Sequence, residues 1–225
     1  MKFITLSSHR SGSSMLQRFL NTHPDVYARQ EDLRDQDRIG QLAAKRRLDE
    51  IFAQEGKYKA VGTKVQYTHV RPWLLKYIKQ NDVKVIQLIR RDLLQTIFWW
   101  PGNYEGKTKG GFGPELVVPV GSVIIGKYKP VKKMLIWLKK QIDKYKKIAD
   151  FVLYLEDDIR GPEDSDSFYN PETRKKLFQF LGVKDIDIVL PQKRADTDNL
   201  EKYVANYGDL LKKLKKEGVP IYYEG

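Results

Sequence analysis

A short segment near the start of the chain, residues 7–14, has a composition suited to binding an anion. It reads Ser-Ser-His-Arg-Ser-Gly-Ser-Ser, follows the apolar run of residues 3–6, and precedes apolar residues at helical spacing. A strand that turns through small residues into a helix brings backbone N–H groups and the positive end of the helix dipole around a phosphate. Ser13 and Ser14 can donate hydroxyl hydrogen bonds, and Arg10 adds a charged fork. The segment therefore predicts a phosphate-binding loop.

The predicted loop lacks the lysine of a Walker A motif. That motif has Gly-Lys followed by Ser or Thr, and its lysine contacts the terminal phosphates of a nucleoside triphosphate. In this chain the residue after Gly12 is Ser13. The loop therefore suits a 5′-phosphate better than a γ-phosphate, which disfavours the alternative of a P-loop kinase or NTPase. A structural turn that merely requires Gly12 is the other interpretation.

The loop and five later segments form an ordered set of motifs. The first segment is Ser8 to Leu16 with His23, Pro24 and Glu31, and the later ones are residues 61–67, 85–94, 151–157, 178–183 and 200–210. Taken together, they resemble the sulfotransferases that use 3′-phosphoadenosine 5′-phosphosulfate (PAPS), and the likeness is closest to the bacterial carbohydrate and lipid branch. It covers nearly the whole chain except residues 101–130. The resemblance implies transfer of a sulfuryl group from PAPS to a hydroxyl or amine of a carbohydrate, lipid or small alcohol, leaving adenosine 3′,5′-bisphosphate.

The resemblance also implies which residues bind the donor. The loop would hold the 5′-phosphosulfate, and the arginines that end the strand of residues 85–89 would hold the 3′-phosphate. The family has a serine about eight residues after that arginine, where this chain has Phe98 or Trp99, so the 3′-phosphate would depend more on arginine, on Thr96 or on another group. The donor-binding candidates are Arg10, Ser11, Gly12, Ser13, Ser14, Arg90, Arg91, Lys193 and Arg194, of which the last two are equally well explained as a surface basic pair.

Three residues are implied in catalysis. Glu31 stands where the resembling bacterial enzymes place a glutamate that serves as general base, although a solvated carboxylate is the alternative. Lys64 and Arg10 would stabilise charge on the leaving phosphate and on the transferring sulfuryl group. In the animal cytosolic branch the base is a histidine two residues after the strand lysine, and here that position is Gln66. No metal is implied, because the family's chemistry uses protein cations.

Charge and composition restrict the class of protein. A net charge of +12 indicates an anionic partner, although lysines on helices are also typical of solvated helix faces. A nucleic-acid-binding protein stays open as an alternative, but no zinc-finger, RRM or KH signature is present. The chain has no cysteine, no stretch of about 20 apolar residues and no signal-peptide pattern, so we expect a cytoplasmic protein without a transmembrane segment. The oligomeric state is left open.

Alternation of apolar strands with amphipathic helices predicts an α/β fold. We expect a mostly parallel central sheet with helices on both faces, in a P-loop-like three-layer architecture. The chain would form a single domain of residues 1–225, with the Gly/Pro-rich insert at residues 101–130 as a possible lid over the acceptor. The predicted strands are residues 3–6, 58–66, 83–89 and 151–155. The predicted helices are residues 15–21, 34–54 and 70–80, a helix directly after Asp92, and residues 131–148, 171–181 and 200–216.

Overall fold

The computed structural model describes residues 1–30, 33–98, 128–159, 170–188 and 200–225. These residues form a parallel sheet and its surrounding helices. The strands are β1 (Lys2–Ser7), β2 (Val26–Arg29), β3 (Ala60–Gln66), β4 (Lys84–Ile89) and β5 (Phe151–Tyr154). The helices are α1 (Ser13–Asn21), α2 (Gln36–Phe52), α3 (Pro72–Gln80), α4 (Leu93–Phe98), α5 (Tyr128–Lys146), α6 (Pro171–Phe180), α7 (Leu200–Tyr203) and α8 (Tyr207–Lys216). Short 3₁₀ turns span Ala53–Gly56 and Tyr67–His69, and a π-helical turn spans Leu155–Ile159.

The five strands are all parallel and lie in the order β2-β3-β1-β4-β5. β1 is the central strand, paired with β3 on one side and with β4 on the other. Its residues from Phe3 to Ser7 are all buried, as expected of a parallel strand that is covered on both faces. The predicted fold class, a parallel central sheet flanked by helices, is therefore confirmed.

One face of the sheet is covered by α1 and α6. Phe3 of β1 lies in an apolar cluster with residues of both helices, and the rings of Phe19 and Phe178 stack with their centroids 5.6 Å apart. His23, just after α1, completes this layer, because its Nε2 lies 2.9 Å from the Lys184 carbonyl oxygen and its Nδ1 accepts from a backbone N–H. This layer fixes α1, and hence the loop before it, against the sheet.

The end of α5 lies on the opposite face of the sheet. Gln87 of β4, which alternates with residues of the first cluster, donates hydrogen bonds to the Tyr67 hydroxyl and to the Ile142 carbonyl. The ring of Tyr145 stacks on Tyr67 at 5.2 Å between centroids. Burial raises the pKa of the Tyr145 phenol, and the positive charge of Arg71 acts in the opposite direction. The amide nitrogen of Gln87 is thus paired within the protein, whereas its buried Oε1 has no hydrogen-bond partner among the described residues.

Two compact units make up the described structure. The first, Met1–Arg90 with Ile142–Leu190, contains the whole sheet, and the second contains Arg91–Gln141 with Pro191–Gly225. The single domain predicted for residues 1–225 stays a prediction. So does the acceptor lid at residues 101–130, since residues 101–127 lie outside the described ranges.

In the second unit, α5 and α8 are joined by polar contacts. The Lys132 ammonium lies 2.7 Å from a carboxylate oxygen of Glu217, and that of Lys213 lies 4.1 Å from the Tyr128 ring centroid. Helix α8 buries Leu210 and Leu214. Its exposed residues include Lys212, Lys213, Lys215 and Lys216. None of the helices in the described ranges is long and apolar enough to cross a membrane.

Three parts of the observed secondary structure differ from the prediction. Strand β2 was not predicted, because four residues are too few to display a period. The helix predicted at residues 34–54 is α2, which is interrupted by Gly40 at φ 81°. The helix predicted at residues 200–216 is two helices, since the chain leaves helical geometry near Asn206 (φ −104°, ψ 25°). Apolar spacing continues across both interruptions, so periodicity alone could not reveal them.

A matched pair of leucine substitutions tests the position of the core. Leu20 in α1 is fully buried, whereas Leu42 in α2 is 65% exposed. We expect Leu20→Ala to lower the free energy of unfolding by about 2–5 kcal/mol because it leaves a cavity. Leu42→Ala should change it by less than about 0.5 kcal/mol. Urea denaturation followed by circular dichroism measures both, and equal losses would contradict the described core.

Candidate functional site

The loop that joins β1 to α1 is a tight turn with two left-handed residues. Arg10 has φ 58° and Gly12 has φ 82°. The Ser11 hydroxyl donates to the Ser8 carbonyl at 2.8 Å, which closes the turn from within. The Gly12 carbonyl then accepts from the N–H groups of Met15 and Leu16, the third and fourth residues of α1. A left-handed residue beside residues of other conformations turns the successive N–H groups of a loop toward one concave side. This is the geometry of an anion-binding nest.

Helix α1 begins without a side-chain cap. Its N-cap is Gly12, which has no side-chain oxygen, and no capping side chain is found among the described residues. The first N–H groups of a helix have no partner within that helix and carry the positive end of its dipole. The N-terminus of α1 therefore has the donors and the dipole that suit an anion, and phosphate binding by residues 7–14 stays a prediction.

Gly12 is required at its position for two separate reasons. Its φ lies in the left-handed region, which side-chain-bearing residues adopt at a cost. A Cβ at Gly12 would also lie 2.5 Å from a methyl carbon of Leu155, the first residue of the π-helical turn after β5. The loop is thus closely packed on the turn that follows the edge strand.

Lys64 extends from β3 to the same helix end. Its side chain is only 5% exposed, and its ammonium donates a hydrogen bond to the Ser14 hydroxyl at 2.7 Å. A cation beside the N-terminus of a helix faces a dipole of its own sign. The contact of Lys64 with Ser14 therefore adds a second positive charge to this end of α1.

Arg90 places a second buried cation beside the loop. It follows β4, is 6% exposed, and donates from Nη1 to the Arg10 carbonyl at 3.0 Å. Its Nε lies 3.9 Å from a carboxylate oxygen of Glu156. Arg91, predicted to act beside Arg90, belongs to the second unit, where its Nη1 donates to the Tyr223 carbonyl at 3.1 Å. The two neighbouring arginines therefore have different contacts: Arg90 contacts the loop, and Arg91 contacts Tyr223.

Two buried acceptor atoms lie near Lys64 at the ends of the strands. Ser7 and Gln66 are partners in the register of β1 and β3, and both side chains are more than nine-tenths buried. Within the described ranges neither Ser7 Oγ nor Gln66 Oε1 has a hydrogen-bond partner. Buried polar atoms are normally paired with protein, water or ligand. These two atoms therefore mark a polar position on the face of the sheet that carries Lys64.

Histidines from two segments meet at this edge of the sheet. His9 Nε2 lies 3.2 Å from the Thr68 hydroxyl, and the rings of His9 and His69 are edge-to-face with centroids 6.0 Å apart. These contacts join the loop before α1 to the turn that follows β3. Sequence reasoning did not assign a role to Thr68 or Glu156, although each lies in the short helical turn that follows a strand.

Several predicted site residues lie outside the described residues. They are Glu31, Lys193 and Arg194. Their predicted roles stay predictions. Of the remaining candidates, the structure brings together the loop residues, Lys64 and Arg90 at the carboxyl ends of β1, β3 and β4.

No protein-family model and no curated protein matches the chain.

Three glycine substitutions separate the two constraints on the loop. Gly12→Ala should destabilise the protein by at least about 1–3 kcal/mol, because both the left-handed backbone and the contact with Leu155 oppose a side chain. Gly40→Ala, at φ 81° in open space, should show only the backbone cost, and Gly56→Ala, with neither constraint, should be nearly neutral. Thermal and urea unfolding would rank the three. A Gly12→Ala loss no larger than that of Gly56→Ala would disprove the described loop.

Proposed function

We propose that this protein is a sulfotransferase that moves a sulfuryl group from PAPS to a hydroxyl or amine of an acceptor. The observation that carries the proposal is the meeting of an uncapped helix N-terminus with the buried cations Lys64 and Arg90 beside the central strand. Ligands of open parallel sheets bind outside the carboxyl ends of the strands, where the order of the strands reverses. In this sheet that position lies at β1, between β3 and β4.

The arrangement suits transfer of a charged group better than binding alone. In-line displacement requires that the acceptor oxygen or nitrogen bond to sulfur as the sulfur–oxygen bond to the 5′-phosphate breaks. The phosphate then leaves with additional negative charge, which the loop N–H groups, Lys64 and Arg10 would stabilise. The acceptor proton would pass to a general base, for which Glu31 is the predicted residue. The products are the sulfated acceptor and adenosine 3′,5′-bisphosphate.

The position of the buried lysine distinguishes this proposal from a Walker A kinase. A Walker A lysine follows the loop glycine directly and contacts the terminal phosphates. In this protein the lysine comes from β3 and meets Ser14, the second residue of α1. A group anchored there lies beside the first phosphate bound at the helix end, as a phosphosulfate donor requires. The acceptor would be a carbohydrate, a lipid or a small alcohol, as the resemblance implies.

Calorimetric titration with nucleotides tests the donor site. We expect adenosine 3′,5′-bisphosphate to bind more tightly than 5′-AMP or ATP-magnesium, and Lys64→Met to weaken it by about tenfold or more through loss of a charge-assisted contact. Lys84→Met is the matched control, since Lys84 begins β4 at the other end of the sheet and pairs with Asp82. Preference for ATP-magnesium would instead support a kinase or NTPase.

The catalytic step is tested by following release of adenosine 3′,5′-bisphosphate from PAPS in the presence of pooled glycans, lipids and alcohols. Glu31→Gln should lower kcat by about 10²–10⁴-fold if the carboxylate removes the acceptor proton. It should leave the affinity for adenosine 3′,5′-bisphosphate unchanged. An unchanged kcat would exclude Glu31 as the base while leaving the donor site intact.

A further inference from the structure

Arg90 contacts the backbone of the loop at its most constrained point. Its Nη1 donates to the carbonyl of Arg10, which is one of two non-glycine residues with positive φ among the described residues. A left-handed conformation costs an L-residue free energy, so it persists only where its surroundings hold it. A bond from a guanidinium to a carbonyl is charge-assisted and stronger than a neutral one. Arg90 is thus well placed to hold Arg10 in this conformation.

Holding the Arg10 carbonyl also sets the direction of the next N–H group. The peptide unit between Arg10 and Ser11 is planar and trans, so its carbonyl and its N–H point in opposite directions. With the carbonyl directed at Arg90, the Ser11 N–H is directed away from that guanidinium. A reversed peptide would present a carbonyl oxygen, which repels phosphate, in place of a donor. The bond from Arg90 therefore selects the orientation that an anion-binding loop needs.

Glu156 supports Arg90 from the π-helical turn after β5. Its carboxylate lies 3.9 Å from Arg90 Nε, and it is 23% exposed, so the buried guanidinium has a nearby counter-charge. The preceding residue, Leu155, lies against Gly12. One turn therefore supports the loop at two points, directly under Gly12 and through Arg90 at Arg10.

We infer that Arg90 is a positioning residue, held by Glu156, which fixes the Arg10–Ser11 peptide and so prepares the loop to bind a phosphate ester. This differs from the role of 3′-phosphate ligand that the family resemblance implies for Arg90. The inference deepens the proposed function and rests on its anion-binding loop, but it does not depend on which phosphate ester the loop takes.

Two ligands that differ only in the 3′-phosphate separate the positioning role from direct binding. Calorimetry with 5′-AMP and with adenosine 3′,5′-bisphosphate would be performed on the wild type, Arg90→Met and Glu156→Gln. We expect Arg90→Met to lower the affinity for both ligands by the same factor, on the order of tenfold or more. Glu156→Gln should lower both affinities by a smaller common factor. Loss confined to the bisphosphate would overturn the inference and make Arg90 a 3′-phosphate ligand.

Arg174→Met provides the matched control. Arg174 is a partly buried arginine of the first unit that pairs with Asp185 and Asp187, away from the loop. Its loss should leave both affinities unchanged. Glu156→Gln keeps the shape of a partly exposed side chain, so it preserves the test if Arg90→Met does not fold. Equal weakening in Arg174→Met would show a general loss of structure and would contradict a specific role for Arg90.

Hydrogen exchange of the ligand-free protein tests the inference without any nucleotide. Amides of residues 8–16 should exchange faster in Arg90→Met and in Glu156→Gln than in the wild type or in Arg174→Met, while amides of β3 stay unchanged. Unaltered exchange of the loop would overturn the inference. If the wild type prefers ATP-magnesium to the bisphosphate, the proposed function fails, yet faster loop exchange in the two variants would still support the positioning role.

Discussion

The Lys64 ammonium is held against the first turn of α1, where the helix dipole is itself positive. The ammonium and the helix end are both positive, so neither offsets the charge of the other, and the side chain of Lys64 is almost completely buried. A fold that maintains such a contact needs negative charge nearby, either from its own side chains or from a ligand. The rest of the site is consistent with this constraint, because the loop before α1 supplies donors, has no capping side chain among the described residues, and lies beside a second buried cation, Arg90.

The core of the first unit is what keeps these charges in place. The aromatic contact between α1 and α6 fixes one layer, and the bond of Gln17 in α1 to the Thr5 hydroxyl at 3.0 Å ties the helix to the central strand. The turn after β5 then contacts the loop at Gly12. A rigid support of this kind lowers the cost of ordering the loop when a ligand binds.

Arg90 and Arg91 illustrate how neighbouring residues acquire different roles. The side chain of the first is directed at the loop within the unit that contains the sheet, and the side chain of the second bonds to the Tyr223 carbonyl within the other unit. A basic pair at the end of a strand is therefore not one binding element in this protein. Its first member contacts the backbone of the loop, and if that contact has the positioning role inferred above, specificity for the remainder of a nucleotide would come from other residues.

The sequence by itself determined the fold class, four of the five strands and the position of the loop, because these depend on apolar period and on local turn chemistry. It also singled out Lys64 as a candidate site residue, since a lysine within an apolar strand is unfavourable unless its charge is paired or contacts a ligand. The short strand β2, the break in α2 at Gly40 and the division between α7 and α8 were decided by tertiary packing, which local periodicity does not record. The same holds for the contacts of Arg90 with Arg10 and Glu156, which are separated from it by 80 and 66 positions along the chain. Such contacts arise only when parallel strands bring their carboxyl ends to one edge. The sequence therefore predicted residues of the candidate site, but only the tertiary structure determined how they are arranged.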